Sequence, residues 1–536
     1  MPVTTFATPR FSVRLFKSIM RKPGEGGLPV SDRYAGKEAF IDLTPWLGDG
    51  SSITTSKDVH QPAGTFSLTF SDRPNIQGQS MGPVLSTAGL ESVYGLVEPM
   101  DVVEIRMWSG KGIMPNPLPI KMRGFVTEIS RGRQMGSDGR PIRTVVISGQ
   151  DYGKILQTYQ ILYLPSYSGS TPLLTGFNFF EQFGVEARNT MEGGEFIQIL
   201  LDKAINPLLS TLIPGTSEVP REILADIQAE GVMNNSYMNQ EGSVFDLLRQ
   251  FLDVGNWNEL FIEDREDGVY LVWRPLPYFD LMTGQATQKL AQEPRTTTIA
   301  DNEIVNLRQT RNDEAVFNYY WVTNQRFDLA DDIYRRQEAY MAGGTTETME
   351  YPNTAHKYYG IRALYADTVM GPEGLNNMTS GLDEQAQEKR GSEYMDWINA
   401  RRSALIANNH DNVVLEKGQL EIKGGPMRAD FSEAMKAGDQ IKVLDGLLAW
   451  EAYCTSIQDT FQPYRSYRTT LQFERGTGFA TRVSEYAGNS PWLKEQAYRG
   501  FAGINDIGSL KDIDPRLAEA TAFIKNPSLA LKYLKD

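Results

Sequence analysis

Side chains able to do acid–base or metal chemistry are few and far apart in this chain. His60, His356 and His410 are the only histidines in 536 residues, and no His-Glu-x-x-His or Cys-x-x-Cys spacing joins them to another ligand. Cys454 stands alone, so no disulfide can form within the chain, and its alternating apolar surroundings predict a small buried thiol. Gly24-Glu-Gly-Gly27 lacks the Lys-Ser/Thr ending of a phosphate-binding loop and reads as a turn. Asp264-Arg-Glu-Asp-Gly268 has acidic residues without the ligand spacing of a calcium loop, and a hairpin turn accounts for it. Among 67 Asp and Glu, carboxylate pairs at glycosidase spacing could be drawn almost anywhere, so nothing selects one. These residues predict no catalytic group, no metal and no cofactor.

The elements around them carry more information, because one pattern occurs twice. Asp101-Val-Val-Glu-Ile105, Arg123-Gly-Phe-Val-Thr-Glu-Ile-Ser-Arg131 and Ile142-Arg-Thr-Val-Val-Ile-Ser148 are matched by Asp439-Gln-Ile-Lys-Val443, Glu451-Ala-Tyr-Cys-Thr-Ser-Ile-Gln-Asp459 and Tyr467-Arg-Thr-Thr-Leu-Gln-Phe473. Upstream, Ile53 to Asp58 with Thr65 to Phe70 resembles Ile304 to Asp313 with Val316 to Trp321. Phe66, Leu68 and Phe70 alternate with Thr65, Ser67 and Thr69, the period of two that a half-buried strand requires. Each set reads as one small β-unit, either a true repeat or a shared meander topology. Phe66, Leu68, Phe70, Val103, Ile105, Ile441, Val443, Leu471 and Phe473 are expected in the cores of these units. Gly110 to Pro119 and Gly132 to Pro141 read as loops between strands.

Between the two units the period changes. Phe196, Ile199, Leu200 and Ala204 fall on one helical face, and Pro207 is expected to end or bend that helix. Ser243 is a plausible N-cap for a helix over Val244 to Val254, with Gly255 as its stop. Glu259 to Glu263 and Val269 to Trp273 then predict a hairpin. Leu382 to Asn408 predicts a long charged helix. The expected architecture is α+β and mainly β, with two similar tube-type β-barrel domains flanking a mixed α/β domain. Residues 1–160 form the first barrel, 161–300 the middle domain, 301–325 with 413–477 the second barrel, 326–412 an inserted α/β segment, and 478–536 a helical C-terminal extension. Trp492, Phe501 and Leu510 lie in that extension, which carries too many apolar side chains for a solvated tail. It either folds back on its own domain or docks on another chain.

A net charge of −14, with no basic block, argues against gripping nucleic acid by its phosphates. Arg10, Arg14, Lys17, Arg21 and Lys22 interrupt the apolar residues near the N-terminus, so no signal-peptide core is expected, and no stretch approaches the roughly 20 apolar residues of a membrane helix. The chain is expected to be made as a soluble cytosolic product.

Several phrases resemble one known family, the baseplate hub or late-control-type tail proteins of contractile-tailed bacteriophages and related injection machines. Gly418-Gln-Leu-Glu-Ile-Lys-Gly-Gly-Pro426, Ala437-Gly-Asp-Gln-Ile-Lys-Val443, Tyr453 to Ile457 and Tyr467 to Arg475 look like its second tube domain. Ser243 to Arg274 looks like its middle domain, and Tyr359-Gly-Ile-Arg362 like a short phrase before the second barrel. The resemblance covers most of residues 40 to 475. It implies a structural, non-enzymatic homotrimer whose six barrels form a pseudo-six-fold ring. That ring would join the six-fold tail tube protein to the three-fold central spike protein, with wedge proteins as further partners, and would leave a channel for DNA passage without specific binding. The implied location is the virion baseplate, after assembly in the host cytoplasm. On this reading Trp492, Phe501 and Leu510 are candidate partner contacts. Two other readings stay open: a tail-tip protein of a non-contractile phage, and a β-rich virion enzyme degrading polysaccharide or peptidoglycan.

Overall fold

A computed structural model describes residues 9–18, 40–71, 93–110, 114–135, 139, 141–161, 191–214, 218–233, 242–281, 283–324, 351–372, 384–428, 433–445 and 448–486. The first β-unit contains β1 (Arg10–Phe16), β2 (Ile41–Asp42), β3 (Ser52–Asp58), β4 (Thr65–Ser71), β5 (Val102–Trp108), β6 (Ile120–Met135) and β7 (Pro141–Asp151). Their neighbour order is β2-β1-β5-β6-β7-β4-β3, all antiparallel. Alternation decides which face is packed. Val13, Ile53, Phe66, Leu68, Phe70, Val103, Ile105, Val145 and Ile147 share one core, while Thr65, Ser67 and Thr69 lie on the other side.

The middle region holds β8 (Ile223–Ile227), β9 (Asn258–Asp264) and β10 (Val269–Pro275) as a three-stranded sheet, with β9 and β10 forming the expected hairpin. Helix α1 (Gly193–Leu200) continues through a wide π turn over Leu201–Ile205 into Asn206–Leu212. Pro207 does not end the helix; it sits in the first turn of the last segment, directly after the π turn. Helix α2 (Val244–Phe251) starts at Ser243, whose Oγ accepts from the Asp246 N–H at 3.1 Å, and the chain leaves it through Gly255 at φ +109°. Phe196, Leu248, Phe251 and Trp273 pack together between these elements.

The second β-unit contains β11 (Thr296–Ala300) and β12 (Ile304–Thr310), and is then interrupted. Two interrupting strands, β13 (Tyr319–Asn324) and β14 (Ala363–Thr368), pair in parallel as a separate ribbon. Helix α3 (Glu384–Asn409) lies against them, with Ile398 and Leu405 buried beside Tyr320 and Val322. The unit resumes with β15 (Glu416–Lys423), β16 (Gln440–Asp445), β17 (Leu448–Gln462) and β18 (Ser466–Gly476), followed by α4 (Gly478–Tyr486). Its order is β11-β16-β17-β18-β15-β12. The fold is mainly β with helices set between the β-units, as the sequence predicts.

Two sequence expectations are corrected. Val316 to Trp321 is not the counterpart of Thr65 to Phe70: that part is played by β15, because β15 pairs with both β18 and β12 just as β4 pairs with both β7 and β3. Alternating aromatic residues satisfied the ribbon equally well, so the pattern alone could not separate the two. Gly132 to Met135 is strand and not loop, since β6 runs on beside Pro141 to Thr144 as a projecting hairpin arm.

Candidate functional site

The two units share not only strand order but registration. In β6 the extra residue Thr127 forms a bulge between the pairs Val126–Gly149 and Glu128–Ser148. In β17 the extra residue Thr455 forms the same bulge between Cys454–Phe473 and Ser456–Gln472. One row of directly paired residues, Ile53, Leu68, Ile147 and Ile129, crosses β3, β4, β7 and β6. Leu307, Leu420, Leu471 and Ile457 make the matching row across β12, β15, β18 and β17. The outermost pair differs in direction: β1 is antiparallel to β5, whereas β11 is parallel to β16.

The units meet at a seam that turns them into one 13-stranded sheet. Strand β17 is 15 residues long, and one of its edges is shared. Its first half pairs with β16, up to Tyr453–Gln440. Beyond the bulge the same edge takes β3, antiparallel, from Ser456–Asp58 to Phe461–Ile53. Apolar packing closes the core side, with Phe11 and Tyr467 rings 4.9 and 5.4 Å from Phe461. Asp459 is buried there, accepts from the Tyr467 hydroxyl at 3.1 Å, and pairs with Lys121 of β6 at 2.9 Å.

Buried charges fasten the β9–β10 hairpin across both units. From the first unit, Arg106 and the Ile120 N–H donate to Glu266 at 2.7 and 2.8 Å, while Arg123 donates to the Arg265 carbonyl at 2.7 Å. Lys57 lies 3.0 Å from Asp151 and 2.6 Å from Asp264. Burial opposes its ammonium charge, but Asp264 and Asp151 outweigh that cost and hold its pKa above the usual lysine value. From the second unit, Arg428 bridges Glu263 and Asp439, each at 2.9 Å. Burial would raise the Glu263 pKa, yet Lys436, Arg428 and Arg265 together hold it well below the usual carboxylate range. Glu259 accepts from Tyr453 at 2.6 Å and pairs with Arg274. Such pairs contribute little over an apolar replacement, but removing one partner costs about 3–5 kcal/mol, so they lock geometry more than they add stability.

The sheet face opposite the core is polar and largely uncharged near the seam. Thr54, Ser56, Ser67, Ser148, Gln150 and Gln458 line a shallow recess across it. Further into the second unit, Arg468 pairs with Glu421 at 2.6 Å. This face carries hydroxyls and amides.

One charged group was not legible in the sequence. His410 follows α3, its Nδ1 lies 3.0 Å from the Ile406 carbonyl, and its Nε2 lies 3.2 Å from Asp280 and 3.0 Å from Asp411. Burial lowers the imidazole pKa, but the two carboxylates overcome this and raise it to about 10, so the ring is an imidazolium at neutral pH. The Asp280 carboxyl, despite partial burial, is held well below its ordinary range by His410 and Thr283. Their ligand atoms lie within 4.8 Å of one another, close enough to surround a cation. The imidazolium already supplies the positive charge that two carboxylates need. Asp280 and His410 are far apart in sequence, so no local motif announces them.

All nine expected core residues of the β-units are buried, and Cys454 is fully buried, with burial pushing its thiol pKa well up. Trp492, Phe501 and Leu510 lie outside the described residues, as does Gly24 to Gly27. So does Gly78-Gln-Ser-Met-Gly82, a Gly-x-Ser-x-Gly spacing that reasoning from sequence missed. Among the described residues no helix is long and apolar enough to cross a membrane.

No protein-family model and no curated protein matches the sequence. Solved structures do align along most of it. The tail protein from Neisseria meningitidis MC58 covers 88% of this chain and 98% of its own, at 11% identity and a TM-score of 0.42. The 43 kDa tail protein of prophage MuSo2 from Shewanella oneidensis covers 87% and 96%, at 10% identity and a TM-score of 0.39. The prophage tail protein gp18 from Listeria monocytogenes EGD-e covers 86% and 94%, at 8% identity and a TM-score of 0.34.

Proposed function

We propose that this protein is a structural hub of a phage tail baseplate, three copies of which close into a pseudo-six-fold ring between a six-fold tail tube and a three-fold central spike. One observation carries the reading: each chain holds two β-units of the same strand order, with the same bulge at the same place, side by side in one continuous sheet. A ring partner with six-fold symmetry needs six like positions, and three such chains supply them. The middle region and the inserted β13–β14 ribbon with α3 sit outside or below that ring. The hydroxyl and amide face forms the channel wall, where DNA passes because few phosphate charges would be neutralised. Trp492, Phe501 and Leu510 contact a partner, either the spike or a neighbouring copy.

Native mass measurement with class averages of the purified chain, alone and with its tube and spike proteins, tests the ring. The expected result is a species three times the 60.1 kDa chain mass with six lobes around a central opening. A chain that stays monomeric with every partner overturns the proposal.

A further inference from the structure

We infer that copies join by strand addition, β12 of one chain pairing antiparallel with the far half of β6 in the next, in the register that β3 and β17 already use within a chain. This rests on the ring reading and specifies its contacts. The argument is one of unfinished equivalence. Strand β17 beyond its bulge has β18 on one edge and β3 on the other. Strand β6 beyond its bulge has β7 on one edge, and among the described residues no strand on the other. Strand β3 lies between β4 and β17, whereas its counterpart β12 has β15 alone among the described residues. The acceptor edge and the donor edge left over are thus the counterparts of the two that form the seam.

Exposure agrees. Within β17, Ser456, Ile457, Asp459 and Phe461 are buried, while β6 from Thr127 to Met135 is exposed apart from half-buried Ile129. Ile53 of β3 is fully buried; its counterpart Leu307 is half-buried, and Val305 beside it is 40% exposed. Two such complementary edges invite pairing, and backbone ladders supply the affinity. Because donor and acceptor differ, the contact is head-to-tail, the kind that generates rings and not paired dimers.

The bulges and the paired rows fix the register. Aligning Thr127 with Thr455, and Leu307 with Ile53, converts Gln458–Ser56 into Ser130 facing Thr310 of the next copy. Asp459–Thr55 becomes Arg131 facing Gln309 in the same way.

The test is disulfide trapping in the full-length chain. Ser130→Cys with Thr310→Cys, and separately Arg131→Cys with Gln309→Cys, are oxidised and run on a denaturing gel, with native mass measured in parallel. Two adjacent pairs are used because facing residues alternate between close and wide spacing in an antiparallel ladder. Covalent trimer in at least one pair, more than tenfold above a Ser130→Cys, Arg308→Cys control, is the expected result. A trimeric mass with no cross-link in either pair, or with equal cross-linking in the control, overturns the register and leaves the ring. A monomeric mass overturns both.

Discussion

His410 is the residue whose charge state the fold has most clearly fixed. A histidine whose folded pKa is raised from 6.5 to about 10 adds stability that is whole below the lower value and is lost as pH climbs through the upper one. The lowered Asp280 pKa acts at the other end, adding stability above its unfolded pKa of 3.8 that is lost in acid. In urea melts, the stability gap between the native chain and His410→Gln should therefore shrink steadily as pH rises across that 6.5–10 window. A gap that stays constant would show that His410 remains neutral. The sequence offered nothing toward this group, because its charges meet only after α3 has folded back on the loop following β10. Cys454 was legible for the opposite reason: its burial follows from strand alternation in its immediate neighbours.

At the level of elements, the two units solve one packing problem in mirror fashion. In the first, Phe66 of β4 faces Gly149 of β7; in the second, Gly418 of β15 faces Phe473 of β18. Ring and glycine are exchanged between the corresponding strands; the Phe66 ring covers Gly149, whereas a Cβ at Gly418 would first meet the Arg308 carbonyl of β12. A Cβ added at Gly149 would lie 2.3 Å from both the Phe66 ring and the Phe125 carbonyl. Gly149→Val should thus destabilise by about 1–3 kcal/mol or more, read from denaturant midpoints, and Phe66→Ala in the same chain should recover part of the loss. The strands, the capped helix α2 and the β9–β10 hairpin were legible because each is dictated by local periodicity and turn chemistry. The β13 ribbon and the β6 arm were not. Their assignment depends on which distant strand pairs with them, and alternation is silent about partners.

For the molecule as a whole, the C-terminal segment gives the sharpest separation between folding and assembly. Helix α4 ends at Tyr486, so truncation after it leaves both β-units intact. The expected outcome is an unchanged Tm with weakened co-purification of the spike protein or weakened association between copies. A much lower Tm with assembly intact would place Trp492, Phe501 and Leu510 in the protein's own core. The doubling of a β-unit could be read from sequence, whereas the seam could not, since its strands β3 and β17 come from opposite ends of the chain.

The reversed direction of the outermost strand has a consequence for counting. In a closed ring, a partner touching only the inner strands β3, β4, β6 and β7, or their counterparts, would meet the same surface every sixty degrees, by the geometry of six like units. A partner reaching the rim would meet β1 running one way and β11 the other, and would find its own outline only every second step. The same ring would therefore read as six from within and as three from its margin, with no additional subunit needed to translate between them.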